Sequence, residues 1–234
     1  MPSDITQEAL APAREAPAEP VLGESIWLPV AAVIVFLALN IALRVWLPGE
    51  GAVRAPWVLP AIEVTLLVIL VTSDPTGAAE RRRLRRLALG VVGLLVTAAL
   101  WATIVLIADL IKGIGVSQEP SELLASAAVV WLGNNLSFAL LYWLIDGGGP
   151  LARSRTAAPA DFAFTQHMSP ELAPPGWRPV FLDYLHLGFT NATAFSPTDV
   201  MPLTHRAKYT MLVQSTVALA LFGLVVARAV NAFT

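Results

Sequence analysis

Long apolar runs alternate with short polar stretches along the whole chain. A run of about 18 or more apolar residues is enough to cross the hydrocarbon core of a bilayer. Five runs fit or approach that length. The first covers 27–47, has Trp27 and Trp46 near its ends, and is stopped by Pro48. Tryptophan at both ends suits the interfacial belts of a membrane. The second, 57–73, is short, is interrupted by Pro60, and leads into the turn sequence Asp74-Pro75-Thr76-Gly77. The third covers 87–111. The fourth, 123–145, has Ser121 placed as an N-cap and Tyr142-Trp143 near its end, and the fifth, 209–230, has Thr204 ahead of it as a cap. Residues 146–180 are polar, open with Gly147-Gly148-Gly149-Pro150 and read as a loop. Residues 181–195, FLDYLHLGFTNATAF, have a helical pattern but are too short and polar for an ordinary span. They predict a short helix, with re-entrant, interfacial and spanning placements all open. The pattern as a whole predicts an all-α, polytopic membrane protein with about five transmembrane helices plus this short helix before the last. They form a single domain over 26–234, behind a disordered segment 1–25.

Composition agrees with that picture. Hydrophobic residues make up 56% of the 234 residues and charged residues 14%, against roughly 45–50% and about 25% in an ordinary soluble domain. The net charge of −2 gives no basic bias toward nucleic acid. There is no cysteine, so disulfides, thiolate metal sites and cysteine nucleophiles are excluded. Residues 1–25 carry Asp4, Glu8, Glu15, Glu19 and Glu24 against Arg14. That charge is wrong for the start of a signal peptide, and the Ala/Pro/Glu-rich composition predicts disorder.

Lysine and arginine orient the spans, because cytoplasmic loops carry their excess. Placing the loop 74–86 inside, with Arg81, Arg82, Arg83, Arg85 and Arg86, puts Arg14, Arg153, Arg155, Arg178, Arg206 and Lys208 on the same side. Arg44, Arg54, Lys112 and Arg228 fall opposite. That assignment keeps the 181–195 helix from spanning. If it spans, the bias is nearly as strong and the C-terminus changes side. The Arg81–Arg86 run reads as a topology determinant and lipid-headgroup contact, since anionic lipid attracts each such residue by about 1 kcal/mol.

A few polar residues stand inside the apolar runs. Glu63 is the carboxylate well inside a span. It is either an ion or proton site or a group near the interface that reaches water. Asn134 and Asn135, beside Gly133, need hydrogen-bond partners at mid-span. They either glue helices together, as Asn40 would, or line a polar cavity. Asp183 and His186 are three apart and share a helix face. They read as a local hydrogen-bonded pair, with a proton relay as the sharper alternative. Two ligands do not make a metal site, so no metal and no cofactor is expected. Ser215, Gly223, Ala227 and Asn231 lie on one stripe of the last span, where small residues let helices pack closely.

The stretch Asp183–Asn231 carries two resemblances. Its DYL start, its FTNAT end, the Ser196-Pro197-Thr198-Asp199 turn and the terminal Val230-Asn231 pair resemble a family of bacterial predicted integral membrane proteins, a domain of unknown function. Span four fits it too, so the resemblance covers roughly 120–234. More distantly, the stretch resembles the pore helix, filter and inner helix of tetrameric potassium channels. Thr193 to Asp199 reads TAFSPTD and Pro202 follows; Asp199 and Pro202 match in place. Ser196 and Thr198 stand where the filter has glycines, and Pro197 where it has an aromatic residue. A carbonyl-lined filter depends on that glycine backbone, so potassium selectivity does not follow. A potassium channel also keeps this loop outside, opposite to the arginine count.

Together these features lead to an expected multi-pass protein of a bacterial plasma (inner) membrane, with the N-terminus and the loop 74–86 cytoplasmic and lipid as its surroundings. Its activity is expected to be channel-like or transport-like through 181–203, in a homo-oligomer, with a non-catalytic membrane scaffold or partner-binding subunit as the alternative. Glu63, Asn134, Asn135, Asp183, His186, Thr193 and Asp199 are the candidate polar or permeation residues. No HExxH, GxSxG or carboxylate-pair motif points to an enzyme.

Overall fold

The computed structural model describes residues 25–46, 60–61, 64–65, 67–68, 78–112, 120–153, 159–193 and 199–232. Glu63 and the segment 1–24 lie outside the described residues. So does most of the second apolar run, of which six residues are described, all helical.

Four long helices carry the apolar runs: α1 (Trp27–Trp46), α2 (Ala78–Lys112), α3 (Pro120–Ile145) and, at the C-terminal end, α7 (His205–Ala232). Stretches of α2, α3 and α7 are long and apolar enough to cross a membrane, and α1 is a shorter apolar helix. Large apolar side chains such as Trp101, Ile104, Leu132, Leu219 and Phe222 are exposed on these helices. Water would penalise so much exposed apolar area, whereas lipid tails accept it.

Two sequence boundaries move. The Arg81–Arg86 run, expected in a loop, lies on the first turns of α2, which starts nine residues before the expected Leu87. Arginine and leucine are strong helix formers, so polarity ends the apolar run without ending the helix. At 35 residues, α2 is roughly 52 Å long at about 1.5 Å per residue. That exceeds a hydrocarbon core of about 30 Å and leaves the arginine-bearing turns beyond it. In α3 the helix starts at Pro120, so Ser121 lies inside it rather than capping it. Proline suits a first helical position, where its missing N–H has no partner to lose. For α7 the expected cap holds, since Ala207 N donates to Thr204 Oγ1 at 3.3 Å.

The stretch 146–180, expected as a loop, carries regular structure in its described residues, as does the chain that follows it to 204. Together they contain short helices α4 (Pro150–Arg153) and α5 (Thr165–Met168), strands β1 (Phe162–Phe164) and β2 (Val200–Pro202), and helix α6 (Phe181–Thr193). The strands pair antiparallel, with Phe162 opposite Pro202 and Phe164 opposite Val200. This small ribbon is the departure from an all-α chain.

The buried side chains of α6 are Phe181, Tyr184, Leu187, Gly188, Asn191 and Ala192, a three-and-four spacing that makes one helical face. The main core joins Val33 and Phe36 of α1, Val91 and Leu95 of α2, Phe138 and Leu140 of α3, and Tyr184 and Leu187 of α6. A second cluster at the other end joins Leu106, Val130 and Leu221.

Candidate functional site

The polar residues gather in three places, set by how α6 runs. Its start lies at the end of α3, where the Trp143 and Phe181 rings meet at 6.1 Å. Midway, Gly188 lies against the α3 backbone; a Cβ there would sit 3.3 Å from the Asn135 carbonyl oxygen. Near its far end Phe189 meets Trp131 at 5.4 Å, and Thr193 shares an apolar groove with Ala127 and Ala128. So α6 runs antiparallel to α3 and reaches well below its end. By Asp199 the chain is beside His186 again, and Val200 pairs with Phe164, whose ring is 5.4 Å from that of Tyr184. The start of α6 and the strand β2 that follows it therefore lie at the same end of α3.

On that side, two buried aspartates fasten the segment. Asp146 Oδ1 accepts from the backbone N–H of Asp161 at 2.6 Å and of Phe162 at 3.2 Å, and Tyr184 Oη donates to Asp146 Oδ2 at 2.5 Å. Asp161 Oδ1 accepts from Thr204 Oγ1 and Arg206 Nε, each at 2.5 Å. Its Oδ2 accepts from Gly147 N at 3.1 Å and from Arg206 Nη2. A fork-shaped guanidinium on a carboxylate is the strong form of this bond. Burial pushes the Asp161 pKa up. The hydrogen bonds from Arg206 and Thr204, the Arg206 charge and the Gly147 N–H outweigh that and hold it below the usual carboxylate value.

The turn that makes this possible is Gly147-Gly148-Gly149, with φ of 54°, 83° and 94°. Three successive left-handed residues suit glycine alone. Arg85 of α2 lies beside the turn, 3.7 Å by its Nε from where a Gly149 Cβ would be. Arg153 donates to the carbonyls of Trp143 and Asp146 and sits 5.1 Å over the Tyr184 ring. None of Asp146, Asp161, Tyr184 or Thr204 as a cluster is visible in sequence, because each alone reads as an ordinary loop or cap residue. The one local signal is Asp161 directly ahead of the alternating Phe162-Ala163-Phe164.

The second group lies between helices. Gln214 Oε1 accepts from Tyr142 Oη at 2.7 Å and from Asn191 Nδ2 at 2.8 Å, while Gln214 Nε2 donates to the Gly188 carbonyl at 2.9 Å. Asn191 Nδ2 also donates to the Met211 carbonyl, and Ser215 reaches Asn191 Oδ1 at 3.4 Å. Three helices are thus tied by amides that hydrocarbon cannot satisfy. Replacing Gln214→Leu removes the acceptor of the Tyr142 hydroxyl and the side-chain donor to the Gly188 carbonyl together. At roughly 0.6–1.7 kcal/mol per interhelical bond, it is expected to lower unfolding stability by about 2–3 kcal/mol. Denaturation in mild detergent measures this, and a variant as stable as wild type would discount the triad as a tie.

The expected candidates fall as follows. Asn134 Nδ2 donates across to Thr103 Oγ1 of α2 at 2.6 Å and to Val130 O of its own helix. Asn135 Nδ2 donates to Trp131 O, and Asn40 Nδ2 to Phe36 O, both within their own helices. The Oδ1 atoms of Asn134 and Asn135 are buried with no donor among the described residues.

Asp183 and His186 line one cleft but do not bond each other. Asp183 Oδ2 accepts from Val180 N at 2.7 Å at the start of α6, and His186 Nε2 lies 3.0 Å from Asp199 Oδ2. Asn191, at the centre of the triad, was not singled out in sequence. Thr193 is exposed, and its hydroxyl returns to Phe189 O at 2.9 Å. Arg82, Arg83, Arg85 and Arg86 are exposed, while the Arg81 side chain lies outside the described residues. Gly223 has open space around it, and Ser215 faces α6. Among the described residues, no three metal-ligating side chains come together.

No protein-family model, curated protein or solved structure matches this chain.

Proposed function

We propose that the chain is a channel-like or transport-like membrane protein whose working part is the re-entrant unit of α6 and β2. The observation that carries this reading is the course of α6. It enters the helical bundle, presents Leu182, His186, Phe189 and Thr193 on its outer face, and is followed by a strand on the side it came from. Backbone that leaves regular structure at membrane depth is tolerated where it is buried in protein or lines a water-filled cavity. Dipping and returning is also how filter-type loops are built. The unpaired amide oxygens of Asn134 and Asn135 add acceptors at mid-span.

In this reading the chain has five spans, with the second over 57–73. The end holding Arg82–Arg86, Arg153 and Arg206 faces the cytoplasm of a bacterial plasma membrane, together with the N-terminus and the stretch 74–86. The outer face of α6 meets the same face of further copies around a shared path, and lipid covers the rest. The reading carries no enzymatic step. It treats the likeness to the bacterial membrane-protein family and to pore-helix units as one of layout, with no potassium selectivity.

One observation favours a scaffold instead. The intramembrane amides of Asn191, Gln214 and Asn134 are spent on neighbouring helices, as packing alone would require.

Ion flux through the purified protein in liposomes separates the two. Wild type is expected to pass an ion or protons. Asp199→Ala, which removes the His186 partner on the returning strand, or Asn135→Leu is expected to change the rate by about tenfold, the effect of roughly 1.4 kcal/mol. Folded protein that passes no common cation, anion or proton leaves the scaffold reading standing.

A further inference from the structure

The outer face of α6 and the strand that follows it are joined by one exposed polar contact. His186 Nε2 and Asp199 Oδ2 lie 3.0 Å apart, with side chains 59% and 38% exposed. Asp199 makes no other side-chain hydrogen bond among the described residues. Both residues line a cleft of about 570 Å³ between α6, α5 and the ribbon. Histidine is the side chain that ordinarily changes charge between pH 5 and 8.

We propose that His186 and Asp199 form a proton-operated clasp holding β2 against α6. With the imidazole protonated, a charge-assisted bond to the Asp199 carboxylate closes the clasp. With the imidazole neutral, the ion pair is lost and only a hydrogen bond to the carboxylate remains, carrying one charge instead of two.

Asp183 lines the same cleft one turn back on α6 and is the other charged side chain among its described lining residues. From α5 the cleft receives Thr165 and Gln166, from β1 Phe164 and from β2 Val200, none of them charged. Among the described residues, no lysine or arginine lines it. Of the other two histidines, His167 stacks on Trp177 and Phe164, and His205 starts α7. The clasp therefore sets how firmly the exit of the re-entrant unit is held as a function of pH. It is a property of the fold, and it stands whether or not the unit conducts.

The chain has no cysteine, so paired spin labels can be placed cleanly at Leu182→Cys on α6 and Met201→Cys on β2, both exposed positions. In the full chain in lipid nanodiscs, the interlabel distance is expected to be short and narrowly distributed at pH 5, and longer and broader at pH 8. His186→Gln is expected to give one distribution at both pH values, whereas His167→Gln and His205→Gln keep the response. A wild-type distribution that ignores pH, or a response that survives in His186→Gln, overturns the clasp. Because the readout is a distance, its failure is distinct from a failure to find ion flux.

Discussion

Arg206→Met is expected to unfold in mild detergent at markedly lower denaturant than wild type, by about 3 kcal/mol, and to be the costlier half of its ion pair to remove. Asp161 is fully buried while Arg206 is 54% exposed on its side chain. Removing the arginine leaves a carboxylate in the interior with only Thr204 and Gly147 for support. Breaking a buried pair this way costs roughly 3–5 kcal/mol, and screening of the half-exposed guanidinium argues for the low end. Removing the charge from the other side, with Asp161→Asn, leaves Arg206 free to turn into water, and is expected to cost about 1–3 kcal/mol. Equal costs, or the reverse order, would show that the pair is not fastening the segment.

The same carboxylate gives a pH signature. Its folded pKa lies below the ordinary 3.8, so the folded chain takes up this proton less readily than the unfolded chain. The stability it contributes is present above pH 3.8 and is lost as pH falls through the lower folded value. An acid limb that is as steep in Asp161→Asn as in wild type would assign acid unfolding to other groups.

The second large effect is expected at Gly188. A single added carbon would stand 3.3 Å from the Asn135 carbonyl and 3.6 Å from Ala139 Cβ. Alanine therefore meets a tight but nearly admissible space, and it gains about 1 kcal/mol of helix propensity over glycine. Gly188→Ala is expected to stay within about 1 kcal/mol of wild type. Gly188→Leu has no such space. It must push α6 off the α3 backbone, and overpacking of this kind costs about 1–3 kcal/mol or more. It also draws the Gly188 carbonyl away from Gln214 Nε2, so a loss of at least 3 kcal/mol is expected. Thermal unfolding of both variants checks this, and a leucine variant as stable as the alanine one would mean that α6 does not pack as closely as the geometry requires.

The parts of the fold legible in sequence are those with a long, repeating cause. The apolar runs around Val33, Val92, Phe138 and Leu221 needed only length and hydropathy. Thr204 was readable as a cap because capping is local. Phe181 to Thr193 was readable as a short helix, but its placement was not: depth depends on Gly188 meeting Asn135, a contact between residues 53 positions apart. The start of α2 was hidden because a hydropathy pattern falls at arginine while helix propensity does not. Strands of three residues are too short to show a period of two. The aspartate knot was invisible for a different reason. Asp146, Asp161 and Arg206 have no shared spacing, and Arg206 by itself reads as a topology charge. Sequence signals for such knots would need to pair residues across distance, which one chain alone does not do.

The span of that knot has a consequence for biosynthesis. Asp161 takes its bonds from residues 43 and 45 positions later in the chain. A chain emerging residue by residue from the ribosome has α1 to α3 in place long before Thr204 and Arg206 exist. Until α7 begins to emerge, Asp161 has neither partner, and α6 lacks Gln214, the group that satisfies Asn191 and the Gly188 carbonyl. Helix α6 therefore lacks its polar partners on α7 while the earlier helices assemble. It docks late, in a step that waits for the final helix, and a chain halted before residue 204 would carry α1 to α3 without α6 tied in place.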